Sequence, residues 1–379
     1  MFKDWYKKIF MNVGIDGRAL EGSLTGTGRY IAELCKQLND LFPYATFYVY
    51  SRKKVSLPFI SSRWIFRVEP NPMLARLKSV LWLKIASGRL CERDNLDIYW
   101  ATVSFLPNLK PGVRIITTVH DFVYLLHPST MSLYTYIAHK LFFRKDVMKA
   151  CSITVNSAGT RDKLKLLFSI STSYIVRPGV SLDFNGNDVK NLDKKYGFSR
   201  PYILAVATLE PRKNLTLLIN SFIKLKREGF LKGYSLVLAG GQGWRDKKLK
   251  EVLARAKDED LIYPVGYVSD EDLPSLYRQA ELFVFPSVYE GFGMPILEAR
   301  ASGARVLASN IPEHKEAGGR FISYFELGDI EYLSTAILRA LDDAKSLKSF
   351  ELSSNAELFE KCSWEVSAKI LATALRECL

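Results

Sequence analysis

The stretch that decides the fold runs from Ala280 to Arg300 and reads AELFVFPSVYEGFGMPILEAR. It begins with the apolar run Leu282–Phe285, whose length and whose aromatic and β-branched residues are typical of a buried parallel strand. A loop with Gly291 and Gly293 follows, and Pro295 suits the first turn of a helix. Backbone N–H groups at a helix start bind anions, and in open α/β sheets such sites lie at the carboxyl ends of strands. The stretch therefore predicts an anion site on a parallel sheet.

Two carboxylates frame this predicted site, Glu290 in the loop and Glu298 one helical turn later. A carboxylate repels phosphate, so the pair indicates a further ligand, and vicinal sugar hydroxyls donate charge-assisted hydrogen bonds to carboxylates. The spacing alone is equally compatible with an ordinary loop acid and a glutamate on a helix surface.

The whole string EGFGMPILEA resembles the Glu-x7-Glu motif of retaining glycosyltransferases of family 4, with its internal Gly-Phe-Gly-x-Pro. The resemblance implies that Glu290 faces the donor sugar and that Glu298 holds the nucleotide ribose. It also implies a donor site lined by the residues between them, Gly291, Phe292, Gly293 and Met294.

Composition indicates an ordinary globular protein of two or three domains, with 379 residues, 48% hydrophobic and 25% charged. The five cysteines form no Cys-x-x-Cys pair and are odd in number, which favours a reducing cytosol over a disulfide scaffold. No apolar run reaches the roughly 18 residues that cross a bilayer, and the charged N-terminal MFKDWYKKIF is unlike a secretory signal. We expect a cytoplasmic protein, with the inner face of the cell membrane as a candidate peripheral location.

The net charge of +13 is distributed unevenly. Residues 1–180 hold 26 Lys and Arg against 12 Asp and Glu, a balance of +14, whereas residues 181–379 hold 27 against 28, a balance of −1. An anionic membrane surface, a phosphorylated substrate and nucleic acid are the candidate partners of such an excess. Because no zinc-finger, RNA-binding or helix-turn-helix signature accompanies the charge, we expect no nucleic-acid partner.

Part of this charge lies in residues 73–90, MLARLKSVLWLKIASGRL, which predict a basic amphipathic helix. Its apolar side would be formed by Met73, Leu74, Leu77, Leu81 and Ile85. Such a helix with a tryptophan is a candidate for the membrane interface; the alternative is a domain helix that packs its apolar side inward. At a membrane, the contacts would come from Trp82 and from the basic residues Arg76, Lys78, Lys84 and Arg89.

Strands and helices alternate twice along the chain, which predicts parallel sheets with helices on both faces. We predict an α/β protein with two Rossmann-like, doubly wound domains, at residues 11–178 and 179–360. The resemblance implies the GT-B arrangement of these domains across a cleft, with the acceptor mainly on the first and the nucleotide-sugar on the second. It also implies that a last helix, residues 361–379, crosses back to the first domain.

Two motifs of the first domain follow predicted strands. Gly26-Thr27-Gly28 precedes the first helix and is compatible with a simple turn or with a loop that approaches phosphate. It resembles the family's N-terminal glycine loop near the donor diphosphate. His120-Asp121 resembles the family's His-Asp segment, in which the histidine meets the donor sugar. We interpret His127 and His139, which lack such a setting, as structural.

In the second domain, Thr208-Leu-Glu-Pro-Arg212-Lys213-Asn214 lies between a strand and a helix. Adjacent Arg and Lys suit a diphosphate, one as a fork and the other as a point charge, although a solvated basic loop is the commoner outcome for such a pair. The string resembles the family's Glu-Pro-Arg-Lys-Asn phosphate loop, but Ala207 stands where some members have a further Arg. A glycine loop, Ala239-Gly-Gly-Gln-Gly-Trp244, and the segment at Val268, which resembles the family's nucleotide-base border, follow later strands.

These resemblances imply a metal-independent retaining hexosyltransferase. The implied catalytic residues are His120, Glu290, Arg212 and Lys213. The implied donor-binding residues are Gly26, Thr27, Gly28, Asp121, Thr208, Val268, Gly291, Phe292, Gly293, Met294 and Glu298. Because the chain has no His-Glu-x-x-His string and no Cys/His cluster, we expect no metal and no other cofactor.

The strings TGTGRY and HDFVYLLHP resemble bacterial mannosyltransferases of surface-polysaccharide assembly. The implied partners are a nucleotide-diphosphate sugar, with GDP-mannose first, and a glycan or lipid-diphosphate-linked acceptor. UDP- and dTDP-sugar donors remain open, as does a nucleotide-sugar epimerase or hydrolase on the same fold.

Overall fold

The apolar runs of the chain form two separate parallel sheets. The computed structural model describes residues 10–22, 24–180, 189–241, 243, 247–257, 261–342 and 360–379. One α/β unit comprises residues 1–124, 133–179 and 361–379, and the other comprises residues 125–132 and 180–360. The predicted linker residues Gly186-Asn187-Asp188, the glycine-loop residues Gln242 and Trp244, and nearly all of the N-terminal MFKDWYKKIF lie outside the described residues.

Within the described residues, the sheet of the first unit has seven parallel strands in the order β3-β2-β1-β4-β5-β6-β7. The strands are β1 (Asn12–Asp16), β2 (Thr46–Ser51), β3 (Trp64–Val68), β4 (Ile98–Ala101), β5 (Arg114–Val119), β6 (Ser152–Val155) and β7 (Tyr174–Ile175). The α-helices are α1 (Gly26–Leu41), α2 (Pro72–Ala75), α3 (Ser79–Trp82), α4 (Gly88–Cys91), α5 (Val123–Leu126), α6 (Leu133–Val147) and α7 (Ala158–Phe168).

The sheet of the second unit has six parallel strands among the described residues, in the order β10-β9-β8-β11-β12-β13. The strands are β8 (Tyr202–Val206), β9 (Ser235–Ala239), β10 (Ile262–Gly266), β11 (Leu282–Phe285), β12 (Val306–Ser309) and β13 (Ser323–Phe325). The α-helices are α8 (Leu192–Tyr196), α9 (Leu215–Arg227), α10 (Lys247–Lys257), α11 (Leu273–Arg278), α12 (Met294–Ala301), α13 (Pro312–Gly318) and α14 (Ile330–Asp342), and the last helix of the chain, α15 (Trp364–Cys378), belongs to the first unit.

Each sheet is doubly wound, which confirms the predicted fold class of two Rossmann-like units. Strand β11 is buried at every residue, because parallel sheets carry helices on both faces. In both sheets the first strand has its successors on one side and the later strands on the other, so the strand order reverses beside it. These reversals, between β1 and β4 and between β8 and β11, are the places where open α/β sheets bind ligands.

The basic segment at residues 72–91 differs from its prediction. A single helix was expected, but α2, α3 and α4 are short and a π-helical turn, Leu83–Ser87, joins the last two. Trp82 is fully buried, and its Nε1 donates to Glu69 Oε2 at 2.9 Å. Lys84 Nζ lies 2.5 Å from the buried Asp146 Oδ2. The proposed membrane contact of these two residues is therefore wrong, since a buried indole and a paired ammonium are not presented to a surface.

A disulfide joins Cys151, directly before β6, to Cys378 at the end of α15. The number and spacing of the cysteines, which favoured a reducing cytosol over a disulfide scaffold, did not predict this bond. The partners are 227 residues apart in sequence, and they meet because α15 packs beside β5, β6 and β7. The thiols of Cys35, Cys91 and Cys362 are buried.

Among the described helices, none has the combination of length and apolar character that crossing a membrane requires.

The start of α15 is held closely against the chain at Gly179. Ser363 Oγ caps the helix by accepting from Val366 N at 3.1 Å, and Ser367 Oγ donates to the carbonyl of Arg177 at 2.5 Å. A Cβ added at Gly179 would lie 2.4 Å from Trp364 N and 2.8 Å from the carbonyl carbon of Ser363. This approach leaves room for glycine alone.

We predict that Gly179→Ala lowers the free energy of unfolding of the first unit by about 1–3 kcal/mol, the usual effect of overpacking. The measurement is a denaturant titration followed by circular dichroism. Gly241→Ala is the matched control, because no atom of the described residues lies within 4 Å of a Cβ added there. Equal unfolding midpoints for the two variants would contradict the prediction.

Candidate functional site

The loops that follow β8 and β11 meet at the strand-order reversal of the second unit. The loop after β8 contains a short 3-10 turn, Pro211–Lys213, and the loop after β11 leads into α12. Val288 N donates to the carbonyl of Arg212 at 3.0 Å, so the two loops are joined through their backbones. The predicted Arg-Lys and Glu-x7-Glu motifs are thereby brought together.

At this junction Glu290 is held between two cations. Its Oε2 accepts from Arg212 Nη1 and its Oε1 accepts from Lys213 Nζ, each at 2.6 Å. Arg212 also donates through Nη1 to the carbonyl of Tyr289 at 2.7 Å and through Nη2 to Glu210 Oε1 at 2.6 Å. We call Glu210, Arg212, Lys213 and Glu290 the charged cluster. It contains two positive and two negative groups, which balance.

The cluster perturbs the pKa values of its own members. Burial by itself raises the pKa of Glu290, but the charges of Arg212 and Lys213 and the hydrogen bond from Lys213 outweigh it and hold that pKa well below its usual range. Burial lowers the pKa of Lys213, and the Glu290 carboxylate opposes that effect. A paired lysine and an ionised glutamate are therefore the state near neutral pH.

The Glu-x7-Glu stretch continues from the cluster into α12. Gly293 is the N-cap of α12 with φ +115°, a left-handed conformation that favours glycine. Phe292 is buried, and Gly291 and Met294 are half-buried. Glu298 is buried one turn into α12, where Tyr277 Oη donates to its Oε2 at 3.0 Å. The second carboxylate is thus held by a tyrosine of α11, which sequence reasoning did not identify.

The loop after β9 borders both the loop after β8 and the end of β10. Gly240 N donates to the carbonyl of Gly266 at 2.7 Å, and Leu209 N donates to the carbonyl of Gly241 at 3.1 Å. A Cβ at Gly240 would lie 2.0 Å from the carbonyl oxygen of Ala207, so close backbone packing explains this glycine. Of the predicted donor-binding residues nearby, Thr208 is exposed and Val268 is buried.

His314 of α13 was missed by sequence reasoning and lies beside the cluster. Its ring is fully buried and packs at 5.0 Å from the Phe285 ring, and a Cβ at Gly293 would lie 3.3 Å from its Cδ2. A lone histidine in PEHKEA carries no sequence signal of its own, because only the packing of α13 against α12 places it here.

Hydrogen bonds define the tautomer of His314. Its Nδ1 lies 3.0 Å from both the carbonyl oxygen and the Oγ of Ser309, and that hydroxyl donates to the carbonyl of Ser287 at 2.5 Å. Nδ1 must therefore carry the proton, because a carbonyl can only accept. Nε2 is left as a lone-pair acceptor, buried and with no hydrogen-bond partner among the described residues.

His127, interpreted from the sequence as structural, stacks on Tyr289 with ring centroids 5.3 Å apart. Burial lowers the pKa of His127, and the charge of Arg212 lowers it further. The residues around it, Leu125–Ser132, group with the second unit. This places the ring next to the charged cluster, whereas His139 packs among Phe105, Tyr124 and Phe143.

In the first unit, His120 lies after β5, beside the strand-order reversal. Its Nε2 lies 2.7 Å from the carbonyl oxygen of Thr102, so Nε2 carries the proton and Nδ1 is the acceptor of the neutral ring. Thr102 Oγ1 in turn donates to the carbonyl of Asp16 at the end of β1, at 2.8 Å. Burial lowers the pKa of His120, against opposing effects of the Thr102 hydrogen bond and of Asp121. The neutral ring thus presents a defined acceptor.

The other predicted residues of the first unit, the glycine motif and Asp121, have local structural roles. Gly26-Thr27-Gly28 forms the first turn of α1 instead of a separate loop, and a Cβ at Gly28 would lie 2.5 Å from the carbonyl oxygen of Ala19. Asp121 Oδ1 accepts from Val123 N at 3.0 Å, which caps α5. Gly28 is therefore required by packing, whatever ligand approaches the start of α1.

No group of three or more His, Cys, Asp or Glu side chains with the geometry of a metal site occurs in the part of the chain that the structure describes.

Comparison with known proteins gives the family. The Glycosyl transferases group 1 profile matches residues 188–357. The chain is similar to the O-antigen chain mannosyltransferase B of Escherichia coli, with 31% identity over 363 residues that cover 90% of this chain and 93% of the relative.

Solved structures give the fold. Sucrose-phosphate synthase from Thermosynechococcus elongatus matches with a TM-score of 0.75 at 17% identity, over 97% of this chain and 98% of that one. Alr3699/HepE from Anabaena, in a complex with UDP-glucose, matches with a TM-score of 0.70 at 15% identity, over 97% of this chain and 100% of that one. The GT-B class expected from the sequence is confirmed.

We predict that the His314 ring stays neutral, in its Nδ1–H tautomer, at pH values well below the usual pKa of histidine. Burial lowers its pKa to about 4, with Glu290 opposing and the cluster's cations assisting. Histidine side-chain ¹⁵N shifts measured between pH 8 and pH 5 should show no titration of this ring, with His314→Asn used to assign its signals. A midpoint near 6.5 would contradict the assignment of a buried, cation-flanked imidazole.

Proposed function

The chain belongs to the Glycosyl transferases group 1 family, and we propose that it transfers mannose from GDP-mannose, with retention at the anomeric carbon, to a growing glycan. The charged cluster carries this proposal, because its Arg212 and Lys213 are suited to a diphosphate and are bonded to Glu290, a carboxylate suited to sugar hydroxyls. Similarity to an O-antigen chain mannosyltransferase over 93% of that protein's length supports the choice of mannose.

The diphosphate of the donor binds to Arg212 and Lys213. Both cations are bonded to Glu290, so the donor must compete with this carboxylate for them. A diphosphate carries more charge than one carboxylate, and the fork of Arg212 and the ammonium of Lys213 then turn towards its oxygens. As the sugar–phosphate bond breaks, the same two cations stabilise the charge of the leaving nucleoside diphosphate, an electrostatic contribution of roughly 3–4 kcal/mol in comparable sites.

This exchange of partners releases Glu290 to accept hydrogen bonds from the sugar. Because its pKa is held well below the usual range, the carboxylate is already ionised when the donor arrives. In the first unit, the family resemblance gives His120 a sugar-positioning role as well, and its Nδ1 is the acceptor because its Nε2–H is committed to Thr102. The chemistry is performed without a metal ion.

The nucleotide occupies the loops around the strand-order reversal. Glu298, held by Tyr277, accepts the ribose hydroxyls. The N-terminus of α12 at Gly293 directs the positive end of its helix dipole at the diphosphate. Backbone groups at Val268, after β10, border the base.

The acceptor is a glycan, free or linked to a lipid diphosphate. With a lipid-linked acceptor, the enzyme works at an anionic membrane surface.

Two alternative functions are distinguishable. A donor of the UDP or dTDP type would leave the mechanism unchanged. A nucleotide-sugar epimerase or hydrolase would convert the donor without any acceptor.

The proposal is tested by incubating the protein with GDP-mannose, UDP-glucose or dTDP-rhamnose and measuring nucleoside diphosphate with and without a short mannose oligosaccharide. We expect that GDP is released only when the acceptor is present and that the amount of GDP released equals the amount of acceptor extended. Release or epimerisation without acceptor would replace transfer by the second alternative, and acceptor-dependent turnover of another donor would replace mannose.

The two glutamates should fail in different ways. We predict that Glu290→Gln lowers the transfer rate at least about 100-fold without weakening GDP binding, because this carboxylate contacts the sugar and competes with the diphosphate for Arg212 and Lys213. Glu298→Gln should instead weaken GDP binding about 10-fold, the loss of one charged hydrogen-bond partner. Calorimetric GDP titration and initial rates measure both, with the exposed Glu281→Gln as control. Exchanged phenotypes would refute the assignment.

Metal removal should have little effect. We predict that EDTA leaves at least about half of the transfer rate, since Arg212 and Lys213 neutralise the diphosphate in place of a divalent ion. Rates measured after EDTA treatment and after adding back Mg²⁺ or Mn²⁺ test this. A rate that vanishes and returns with the ion would show that a metal performs this task.

A further inference from the structure

Exposed apolar side chains concentrate on two segments of the first unit, residues 72–91 and 133–149. Met73 is 79% exposed and Leu133 is 72% exposed. Further apolar side chains along both segments are exposed to a smaller fraction. The set comprises Met73, Leu81, Ile85, Leu133, Ile137, Leu141 and Met148. Leu133, Ile137 and Leu141 follow one another at intervals of four residues, so they form a single stripe along α6.

The two segments pack side by side. Leu81 N donates to Tyr134 Oη at 3.1 Å, and Lys78 Nζ lies 4.5 Å from the centroid of the Tyr134 ring. Further along, Lys84 Nζ lies 4.8 Å from the centroid of the Phe142 ring and is paired with Asp146. Their exposed side chains therefore belong to one continuous surface, which we call the basic apolar face.

The charge of this face has one sign. Three exposed basic side chains lie on the first segment and four on the second: Arg76, Lys78, Arg89, Lys140, Arg144, Lys145 and Lys149. The two segments contain a single acidic residue, Asp146, which is buried and paired with Lys84. Nothing acidic on either segment offsets the exposed charge.

We propose that the basic apolar face docks the first unit on an anionic lipid bilayer. Leucine, isoleucine and methionine side chains enter the boundary between headgroups and acyl chains, while the surrounding lysines and arginines bind lipid phosphates. Exposed apolar clusters of this kind mark interaction sites. The inference deepens the proposed function and rests on it for one point, that the acceptor is carried by a lipid.

Charge selects the bilayer over other occupants. A symmetric dimer through this face would bring two like-charged surfaces together, which is unfavourable. Nucleic acid would match the charge but would leave the leucines and methionines unused. An anionic bilayer matches both the positive charge and the exposed apolar side chains. The face also differs from the one expected from the sequence, because Trp82 and Lys84 are replaced by the exposed side chains of α6.

The experiment measures sedimentation of the full chain with vesicles of phosphatidylglycerol and phosphatidylcholine, or of phosphatidylcholine alone, without donor or acceptor. The test variant is Ile85→Ser, Ile137→Ser, Leu141→Ser. The matched control is Phe230→Ser, Leu327→Ser, Tyr332→Ser, which changes exposed apolar residues of the second unit. A third variant, Lys140→Gln, Arg144→Gln, Lys145→Gln, tests the charge.

We expect the wild type and the control to bind anionic vesicles at least about tenfold more than neutral ones, and both test variants to lose about tenfold of that binding. Binding should fall near 1 M salt, where the Debye length is about 3 Å. Transfer to a short soluble acceptor should be unchanged in both test variants. A variant that loses vesicle binding but keeps this transfer tests the membrane inference separately from the proposed function. Indifference to lipid charge, test variants that bind like the control, or a wild-type dimer that the serine variant makes monomeric would each overturn it.

Discussion

The buried carboxylate of Glu290, shared between Arg212 and Lys213, is the interaction on which the site depends. A buried charge is stable only when it is paired and hydrogen-bonded, so each partner constrains the other two. The pairing also fixes the two loops that carry them, because Arg212 holds the carbonyl of Tyr289 and accepts from Val288 N. Arg212 and Lys213, the cations that we propose bind the diphosphate, thus point inward to a carboxylate, in a balanced cluster that includes Glu210.

The sheet determines where such a cluster can form. Loops after β8 and β11 are sequence-distant but adjacent in space, because the strand order reverses between them. The first unit repeats the pattern at β1 and β4, where Asp16, Thr102 and His120 form a chain of hydrogen bonds. In each unit, the strand-order reversal is the place where loops from neighbouring strands can converge. Glu290 lies there in the second unit, and His120 lies beside it in the first; the family resemblance singles out both.

Much of the fold was predictable because continuous apolar runs specify buried parallel strands: Leu282–Phe285 has the bounds expected from the sequence. Strands β7 and β13 are harder to recognise, since they have only two and three residues and lie at the edges of the sheets. Arg212, Lys213 and Glu290 were each identified by motif, but their bonding to one another was not, because it depends on strand order. His314 and Tyr277 could not be identified from the sequence for the same reason. The π-helical turn at Leu83–Ser87 changed which side of residues 72–91 is buried.

The central claim is that donor binding makes Arg212 and Lys213 exchange Glu290 for the diphosphate. A crystal structure of the protein with GDP tests it most directly through the distances from Lys213 Nζ and Arg212 Nη1 to Glu290 and to the phosphate oxygens. The account predicts that both nitrogens lie within hydrogen-bond distance of the diphosphate and that at least Lys213 has left the carboxylate. A diphosphate bound elsewhere, with both bonds to Glu290 kept at their present 2.6 Å, would contradict it.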